Sequence, residues 1–260
     1  MKKQETEQLL ESNFTEQDYE NVEAIFTKNS SHVSTLVEFV TKKILPQLIS
    51  KKSFLDIGAG PASITTHLSK HFLSTTIIEP NKKYYPLYKD NPYNLHAIDF
   101  QSSNLNTKYD FILCSQVLYH IELCAWEFFV KKIYDTICQN GLGVIIILAP
   151  KGSWHGLLSS INPTYPNSHH VEETLKKLNI NYQIKTIRNI FHTSNYENFR
   201  KILHLFTIDD CFPKKGFKSL ERKQQELIHQ KINEYIDKIC KTTDGNYRLI
   251  YEDDYIIFKK

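Results

Sequence analysis

Residues 53–61 read S-F-L-D-I-G-A-G-P. A short apolar run, Phe54 to Ile57, enters a turn that carries Gly58 and Gly60, and a helical pattern continues from Ala62 to His71. Glycine has no Cβ, so the chain bends sharply there and a ligand can approach the backbone closely. A helix that starts after such a turn presents unpaired N–H groups. Strand, glycine turn and helix together form a corner of nucleotide size. The same pattern also serves as a plain βα turn, so its meaning depends on the residues downstream.

Downstream, strands and helices alternate. Thr75 to Ile78 reads as a second strand ending in Glu79, and Lys82 to Lys89 as helical. Leu95 to Ile98 reads as a third strand ending in Asp99, and Asp110 to Cys114 as a fourth. Ala125 to Cys138 carries Phe128, Phe129, Ile133 and Ile137 at helical spacing. Asn140-Gly141 then turns the chain into Gly143 to Leu148, a β-branched run suited to a fully buried strand. This order predicts an α/β fold with a Rossmann-like parallel sheet and helices on both faces.

The flanks read differently. Residues 1–48 carry a helical pattern, with Leu9, Leu10 and Phe14 ahead of Val22, Ile25, Phe26 and a run from Val33 to Leu45. They form an expected N-terminal helical cap ahead of a cofactor-binding core at 49–150. After Pro150, Lys151 to Asn167 reads as a loop or short helix, Val171 to Leu178 as a helix and Tyr182 to Ile190 as a strand. Two further helical patterns, Tyr196 to Phe206 and Leu220 to Cys240, are separated by Pro213, Lys214, Lys215 and Gly216. Tyr247 to Tyr251 and Tyr255 to Phe258 read as closing strands, parted by Glu252, Asp253 and Asp254. No linker or repeat divides the chain, so 1–260 reads as one domain, with a substrate-side half at 151–260 that holds a helical insertion.

Composition narrows the class. Hydrophobic residues make up 41% and charged residues 23% of 260, the balance of a soluble globular protein. The formal charge of +3 lacks the basic bias of a dedicated nucleic-acid binder. The lysines of 214–241 alternate with Glu221, Glu226, Glu234 and Asp237, as on a solvated helix face. Five cysteines, an odd count with no C-x-x-C pair, suit a reducing compartment. No apolar signal core succeeds the N-terminal lysines, and no run approaches the length of a bilayer span. The expectation is a cytoplasmic monomer with a small-molecule substrate and neither nucleic-acid nor membrane partners. His169-His170 lacks companions at ligand spacing, so no metal site is expected.

The chemistry-bearing residues fall at strand ends. Glu79 stands 21 residues after Gly58, where a carboxylate can accept from both hydroxyls of a ribose. It reads equally as a helix cap until it is paired with the glycine turn. Asp99 could accept from an adenine amino group, and Ser102 and Ser103 lie just beyond it. A dinucleotide fingerprint would place Gly or Ala at 63, where Ser63 stands, and Pro61 comes directly after the second glycine. An adenosine cofactor other than a dinucleotide is therefore expected.

L-D-I-G-A-G-P resembles the first motif of class I S-adenosylmethionine-dependent methyltransferases. I-I-E-P resembles their second motif, Y-D-F-I-L-C-S-Q-V-L-Y-H their fourth strand and its turn, and N-G-L-G-V-I-I-I their fifth strand. The resemblance implies S-adenosyl-L-methionine as cofactor, held by Asp56, Gly58, Ala59, Gly60, Glu79, Tyr84, Asp99, Ser102 and Ser115. It also implies a sheet whose C-terminal strand is antiparallel. Within that class the chain resembles the histamine N-methyltransferase family. The resemblance rests on F-T-K-N-S-S-H, E-F-V-T-K-K-I-L-P, S-Q-V-L-Y-H, L-A-P-K-G-S-W, I-D-D-C-F and Y-I-I-F. It implies that Gln116 holds the methyl acceptor. His32 stands where that family has a glutamate, the natural partner of a cationic amine, and Tyr251 near where it has an asparagine.

The implied activity is methylation of a small molecule, at nitrogen of an amine or imidazole-like acceptor, with Gln116, His32 and His120 as candidate catalytic residues. An O-methyltransferase, or a protein that binds the cofactor without transferring the methyl, are the alternatives. S-Q-V-L replaces the N/D-P-P-Y/F motif of many amino-methylating nucleic-acid enzymes. Trp154, just after the fifth strand, is a candidate wall for a flat substrate.

Overall fold

Seven strands share one sheet in the order β3-β2-β1-β4-β5-β7-β6. In this computed structural model, which describes residues 16–212 and 216–260, they are β1 (Ser53–Ile57), β2 (Ser74–Ile78), β3 (Tyr93–His96), β4 (Tyr109–Ser115), β5 (Ile137–Leu148), β6 (Tyr182–Thr193) and β7 (Tyr247–Lys259). The pairs β3-β2, β2-β1, β1-β4 and β4-β5 are parallel, and β7 runs antiparallel to β5. This is the Rossmann-like sheet with an antiparallel C-terminal strand that the alternation and the family resemblance predict. Strand order reverses between β1 and β4, and in open α/β sheets ligands bind at the carboxyl ends of strands at such a point.

The eight α-helices of the described residues are α1 (Glu16–Asn29), α2 (His32–Phe39), α3 (Thr65–Leu68), α4 (Trp126–Thr136), α5 (Gly152–Ile161), α6 (Ser168–Lys177), α7 (Tyr196–Cys211) and α8 (Arg222–Tyr235). Leu9, Leu10 and Phe14 of the expected N-terminal helices lie outside the described residues, as do 213–215.

The chain divides into two compact units. One comprises Val33–Pro150, Pro166–Ile187 and Asp253–Lys260. Its central strands are buried on both faces, and alternate residues feed two cores. Leu55, Ile57, Ile112, Cys114, Ile145 and Ile147 pack with Trp126, Phe129 and Ile133 of α4 and Val171 and Leu175 of α6. Phe54, Phe111, Leu113, Val144 and Ile146 pack on the other face with Leu36, Val40, Ile44 and Leu68. The near-continuous apolar runs of these strands result directly from having no solvent face.

The other unit comprises the described residues of 1–32 with Lys151–Tyr165 and Arg188–Glu252. Aromatic rings form much of its interior. Phe26 of α1 lies 5.0 Å from Phe206 of α7 edge to face and 5.2 Å from Phe191, which stacks on Phe199 at 5.5 Å.

Several element boundaries differ from the sequence expectation. The helix after the glycine turn is α-helical only over Thr65–Leu68, with a 3-10 turn at Ser69–His71. Ala62 takes φ +58°, and its N–H donates to the Ala59 carbonyl at 2.9 Å, so the turn extends past the expected helix start. Lys82–Tyr88 is a 3-10 helix with Pro86 inside it; Pro86 removes an N–H and disfavours an α-helix.

Asn140-Gly141 is a bulge within β5 and not a turn into it. Tyr109 pairs with Ile137 and Phe111 with Leu142, so extra residues are taken up on the β5 side. Asn140 adopts φ +65°. A Cβ on Gly141 would sit 2.9 Å from the Tyr109 carbonyl oxygen, which restricts that position to glycine.

The closing strands are one, because the acidic triplet does not break them. Asp253 and Asp254 pair with Leu148 and Ile147 across the sheet. The buried Asp254 accepts from the hydroxyls of Ser168 and Thr186, both at 2.6 Å, which satisfies its carboxylate.

Candidate active site

The carboxyl ends of β1, β2 and β4 carry the residues that the sequence singles out. Gly58, the first residue past β1, donates its N–H to the carbonyl of Ile78, the last residue of β2, at 2.8 Å. Gly58 and Gly60 both take left-handed backbone, at φ +70° and +52°. They do so for different reasons. A Cβ on Gly58 would lie 2.5 Å from Val117 Cγ2, so this glycine lets the turn after β1 close against the turn after β4. A Cβ on Gly60 would meet only the Tyr84 ring, at 4.0 Å. Gly60 thus leaves open space beside its backbone, which a side chain there would fill.

Gly60 is fixed from two directions. Its N–H donates to Glu79 Oε2 at 2.9 Å, and its carbonyl accepts from the hydroxyl of Tyr88. The second carboxylate oxygen of Glu79 accepts from the Asn81 N–H at 2.8 Å. Glu79 is only 5% exposed, yet each oxygen keeps acceptor capacity beyond these bonds. One carboxylate therefore couples the loop after β2 to the glycine turn after β1. Tyr84, half-buried, packs among Ala59, Ala62, Ile77 and Tyr88, with the Lys83 ammonium 4.6 Å from its ring centre.

Asp56 lies beneath this turn. It is buried, and the Thr65 hydroxyl donates to its Oδ2 at 2.6 Å. Loss of solvent pushes its carboxyl up to about 7, against the lowering effect of the Thr65 bond and with a further push from the charge of Glu79. Asp56 supports the glycine turn from below and has little surface to offer a ligand.

Beyond β3, Asp99 is exposed, and its backbone carbonyl accepts from the N–H groups of Ser102 and Ser103 at 3.1 and 3.0 Å. Ser102 is exposed and Ser103 buried. At the end of β4, Ser115 holds a hydroxyl oxygen that is fully covered and has no hydrogen-bond partner among the described residues. A buried polar group left unsatisfied is costly, and such groups mark places where a ligand or water completes the bonding. Gln116 comes next with φ +59°, an uncommon conformation for a residue with a Cβ. Its N–H donates to the Ile146 carbonyl at 2.9 Å, which anchors it to β5. The Tyr119 hydroxyl accepts from the Leu148 N–H at 2.7 Å and holds the same turn. His120 closes the 3-10 turn Leu118–His120 and is exposed.

Asp56, Gly58, Ala59, Gly60, Glu79, Tyr84, Asp99, Ser102, Ser115, Gln116 and His120 all belong to the sheet-bearing unit. His32 belongs to the other unit, where its N–H donates to Ser30 Oγ at 3.1 Å. Ser30 Oγ in turn lies 2.9 Å from the Tyr251 hydroxyl, so these two positions of the N-terminal and C-terminal segments are linked through one serine. Trp154, in the same unit, is 7% exposed and lies 6.1 Å from Tyr235, which makes it a core residue of that unit. Three residues that matter at the site carry no signal in the sequence: Val117, which closes on Gly58, and Tyr88 and Thr65, which hold Gly60 and Asp56.

The open space at Gly60 and the carboxylate of Glu79 leave room and acceptor capacity at the carboxyl ends of β1 and β2. Residues 31–201 match the model of the methyltransferase domain, and the chain belongs to that family. It is a methyltransferase that uses S-adenosyl-L-methionine.

Among solved structures, a candidate methyltransferase from Bacillus halodurans C-125 aligns with a TM-score of 0.57 at 10% identity, covering 88% of this chain and 99% of that one. The YcgJ protein from Bacillus subtilis aligns at 0.54 and 11% identity, over 88% and 97% of the two chains. A SAM-dependent methyltransferase from Archaeoglobus fulgidus aligns at 0.53 and 14%, over 88% and 94%. At these identities the likeness is one of fold. No curated protein matches the chain. Among the described residues no helix is long and apolar enough to cross a membrane, and no group of three His, Cys, Asp or Glu side chains could hold a metal ion.

Proposed function

We propose that this enzyme methylates a small molecule, at nitrogen of an amine or imidazole-like acceptor, and that Gln116 holds the acceptor. The supporting observation is the conformation of Gln116. It takes left-handed backbone at the carboxyl end of β4, pinned through its N–H to Ile146, while its side-chain amide makes no hydrogen bond among the described residues. Backbone strain of this kind costs on the order of 1–3 kcal/mol and persists where the surroundings enforce it, often at functional sites.

In this reading Glu79 receives the ribose hydroxyls, and Asp99 and Ser102 lie along the adenine side. Gly58, Ala59 and Gly60 border the amino-acid portion, with Ser115 close by at the end of β4 and Tyr84 beside it. Asp56 keeps the turn in place from beneath. When bound, S-adenosyl-L-methionine supplies a methyl group already activated on a sulfonium, open to in-line displacement by a neutral lone pair. The protein's part is positioning and proton handling.

The Gln116 carbonyl oxygen accepts an N–H of the acceptor and so orients the remaining lone pair. An imidazole nitrogen needs no further activation, whereas an ammonium must first give up a proton. His120 and His32 are the candidate bases. The test is a methyl-transfer screen over imidazoles, amines and phenols with labelled cofactor. Transfer to a nitrogen acceptor supports the reading, and transfer confined to phenols replaces it with O-methylation. The Gln116→Ala variant is expected to keep S-adenosylhomocysteine affinity within about twofold while turnover falls by roughly 10²-fold, the scale of a lost positioning contact. Equal turnover in the variant would mean that Gln116 does not hold the acceptor.

A further inference from the structure

The unit that contains α5, α7 and α8 carries a half-open cleft of its own, which shares no residue with the glycine-turn site. It has a volume of about 550 Å³ and is lined by residues from the start of α5, the end of β6, the turn after α8 and the start of β7. That volume falls within the range of about 300–1,000 Å³ typical of small-molecule sites.

Its lining is chemically sorted. Lys241 and Arg248 supply positive charge and hydrogen-bond donors, His192 an imidazole and Ser153 a hydroxyl. Ile239 and Ile250 supply apolar wall. Lys241 and Arg248 come from the two arms of one hairpin, since an antiparallel bridge joins Lys241 to Tyr247, the residue before Arg248, and both line the cleft. Neither side chain has a hydrogen-bond or ion-pair partner among the described residues.

The lining also contains a carboxylate, Asp244, whose bonding is met within its own turn. It accepts from the Thr242 hydroxyl, from the Asn246 N–H at 3.3 Å and from Asn246 Nδ2 at 2.8 Å. Two cationic side chains that line one cleft without an acidic partner among the described residues, next to an apolar wall, match an anion with an attached hydrocarbon body. An arginine offers a planar fork suited to carboxylate or phosphate.

We propose that this cavity binds a small organic anion, its carboxylate or phosphate on Lys241 and Arg248 and its apolar body against Ile239 and Ile250. The site does not depend on the methyl-transfer reading and can fail or stand without it.

The experiment titrates the full chain with hexanoate, hexyl phosphate and hexylammonium at low ionic strength. Calorimetry gives the affinity, and the fluorescence of Trp154, which packs on the cavity-lining Tyr235, gives a second readout. Saturable binding of at least one of the two anions is expected, and their relative affinity tells carboxylate from phosphate. Hexylammonium is expected not to bind. Both cationic residues are exposed, so the Lys241→Met/Arg248→Met variant should fold; it is expected to lose at least tenfold in anion affinity. Lys241→Arg/Arg248→Lys should restore most of it. No saturable binding of either anion, equal affinity in the methionine variant, or equal binding of hexylammonium would each overturn the proposal. S-adenosylhomocysteine affinity, measured on the same samples, should be unchanged throughout.

Discussion

Gly58 and Val117 leave no room for a methyl group between them. A Cβ built on Gly58 falls 2.5 Å from Val117 Cγ2, and the φ of +70° at Gly58 already disfavours any other residue. The turns after β1 and β4 therefore approach as closely as they do because position 58 is glycine. Gly58→Ala is expected to lower stability by about 2 kcal/mol or more, from backbone strain and overpacking together. Adding Val117→Ala should recover the packing part and leave the strain. Denaturant unfolding of the two variants checks this; equal losses in both would mean that the contact is not the cause.

Asp56 sets a pH dependence whose sign can be worked out. Burial holds its proton in the folded protein up to about 7, while its ordinary value is 3.8. Between those values the folded state binds more protons than the unfolded one. The contribution is whole below about pH 4 and is lost as pH rises through 7. Asp210, half-buried and pushed up to about 7 by loss of solvent and the charge of Asp209, acts in the same direction. Asp56→Asn should therefore flatten the stability profile between pH 4 and 8 relative to the unmodified protein, by about 2 kcal/mol or more. Parallel profiles would contradict the assignment.

A buried imidazole pair acts in the opposite direction. His204 Nδ1 lies 2.8 Å from His229 Nδ1, and His204 Nε2 lies 2.9 Å from Asn233 Oδ1. Arg200 Nε donates to that same Oδ1 at 3.3 Å, which identifies it as the oxygen. His204 must then carry its proton on Nε2 and accept at Nδ1 from His229 Nδ1–H. His229 Nε2 is left bare, and it is buried without a partner among the described residues. Burial lowers both groups, His204 to about 3 with a further push from His229, and His229 to about 4 with a push from Arg200. As pH falls below about 6.5 the unfolded chain takes up these protons first, so stability is lost from there down toward pH 4. Nitrogen chemical shifts of the imidazoles should show these two neutral tautomers at pH 5.5. Either ring titrating between pH 6 and 7 would contradict the arrangement.

Much of the sheet was legible because its signals are local. Apolar runs of four to six residues, punctuated by Gly58, Glu79 and Asn140-Gly141, place β1, β2 and β4 within a residue of where they lie, and the second half of β5, whose first half reads as the end of a helix and a turn. What escaped depends on partners far away in the chain. Glu252, Asp253 and Asp254 look like a break until Ser168 and Thr186 satisfy Asp254 and β5 pairs with the strand. Asn140-Gly141 looks like a turn until the Tyr109 carbonyl shows why only glycine fits beside it. At the site, the glycines and Glu79 stand out by type and spacing. Val117, Tyr88 and Thr65 do not, because a valine, a tyrosine and a threonine have no distinguishing pattern. Their importance lies in what they touch.

In the proposed reading the Glu79 carboxylate, already bonded to Gly60 and Asn81, also receives the ribose hydroxyls of the cofactor. The direct measurement is calorimetric titration of S-adenosylhomocysteine into the unmodified protein and into Glu79→Ala. A saturable site is predicted in the unmodified protein, with an affinity weaker by several-fold or more in the variant, because two ribose hydroxyls lose a charged acceptor. No binding to the unmodified protein, or the same affinity in both, would contradict the assignment.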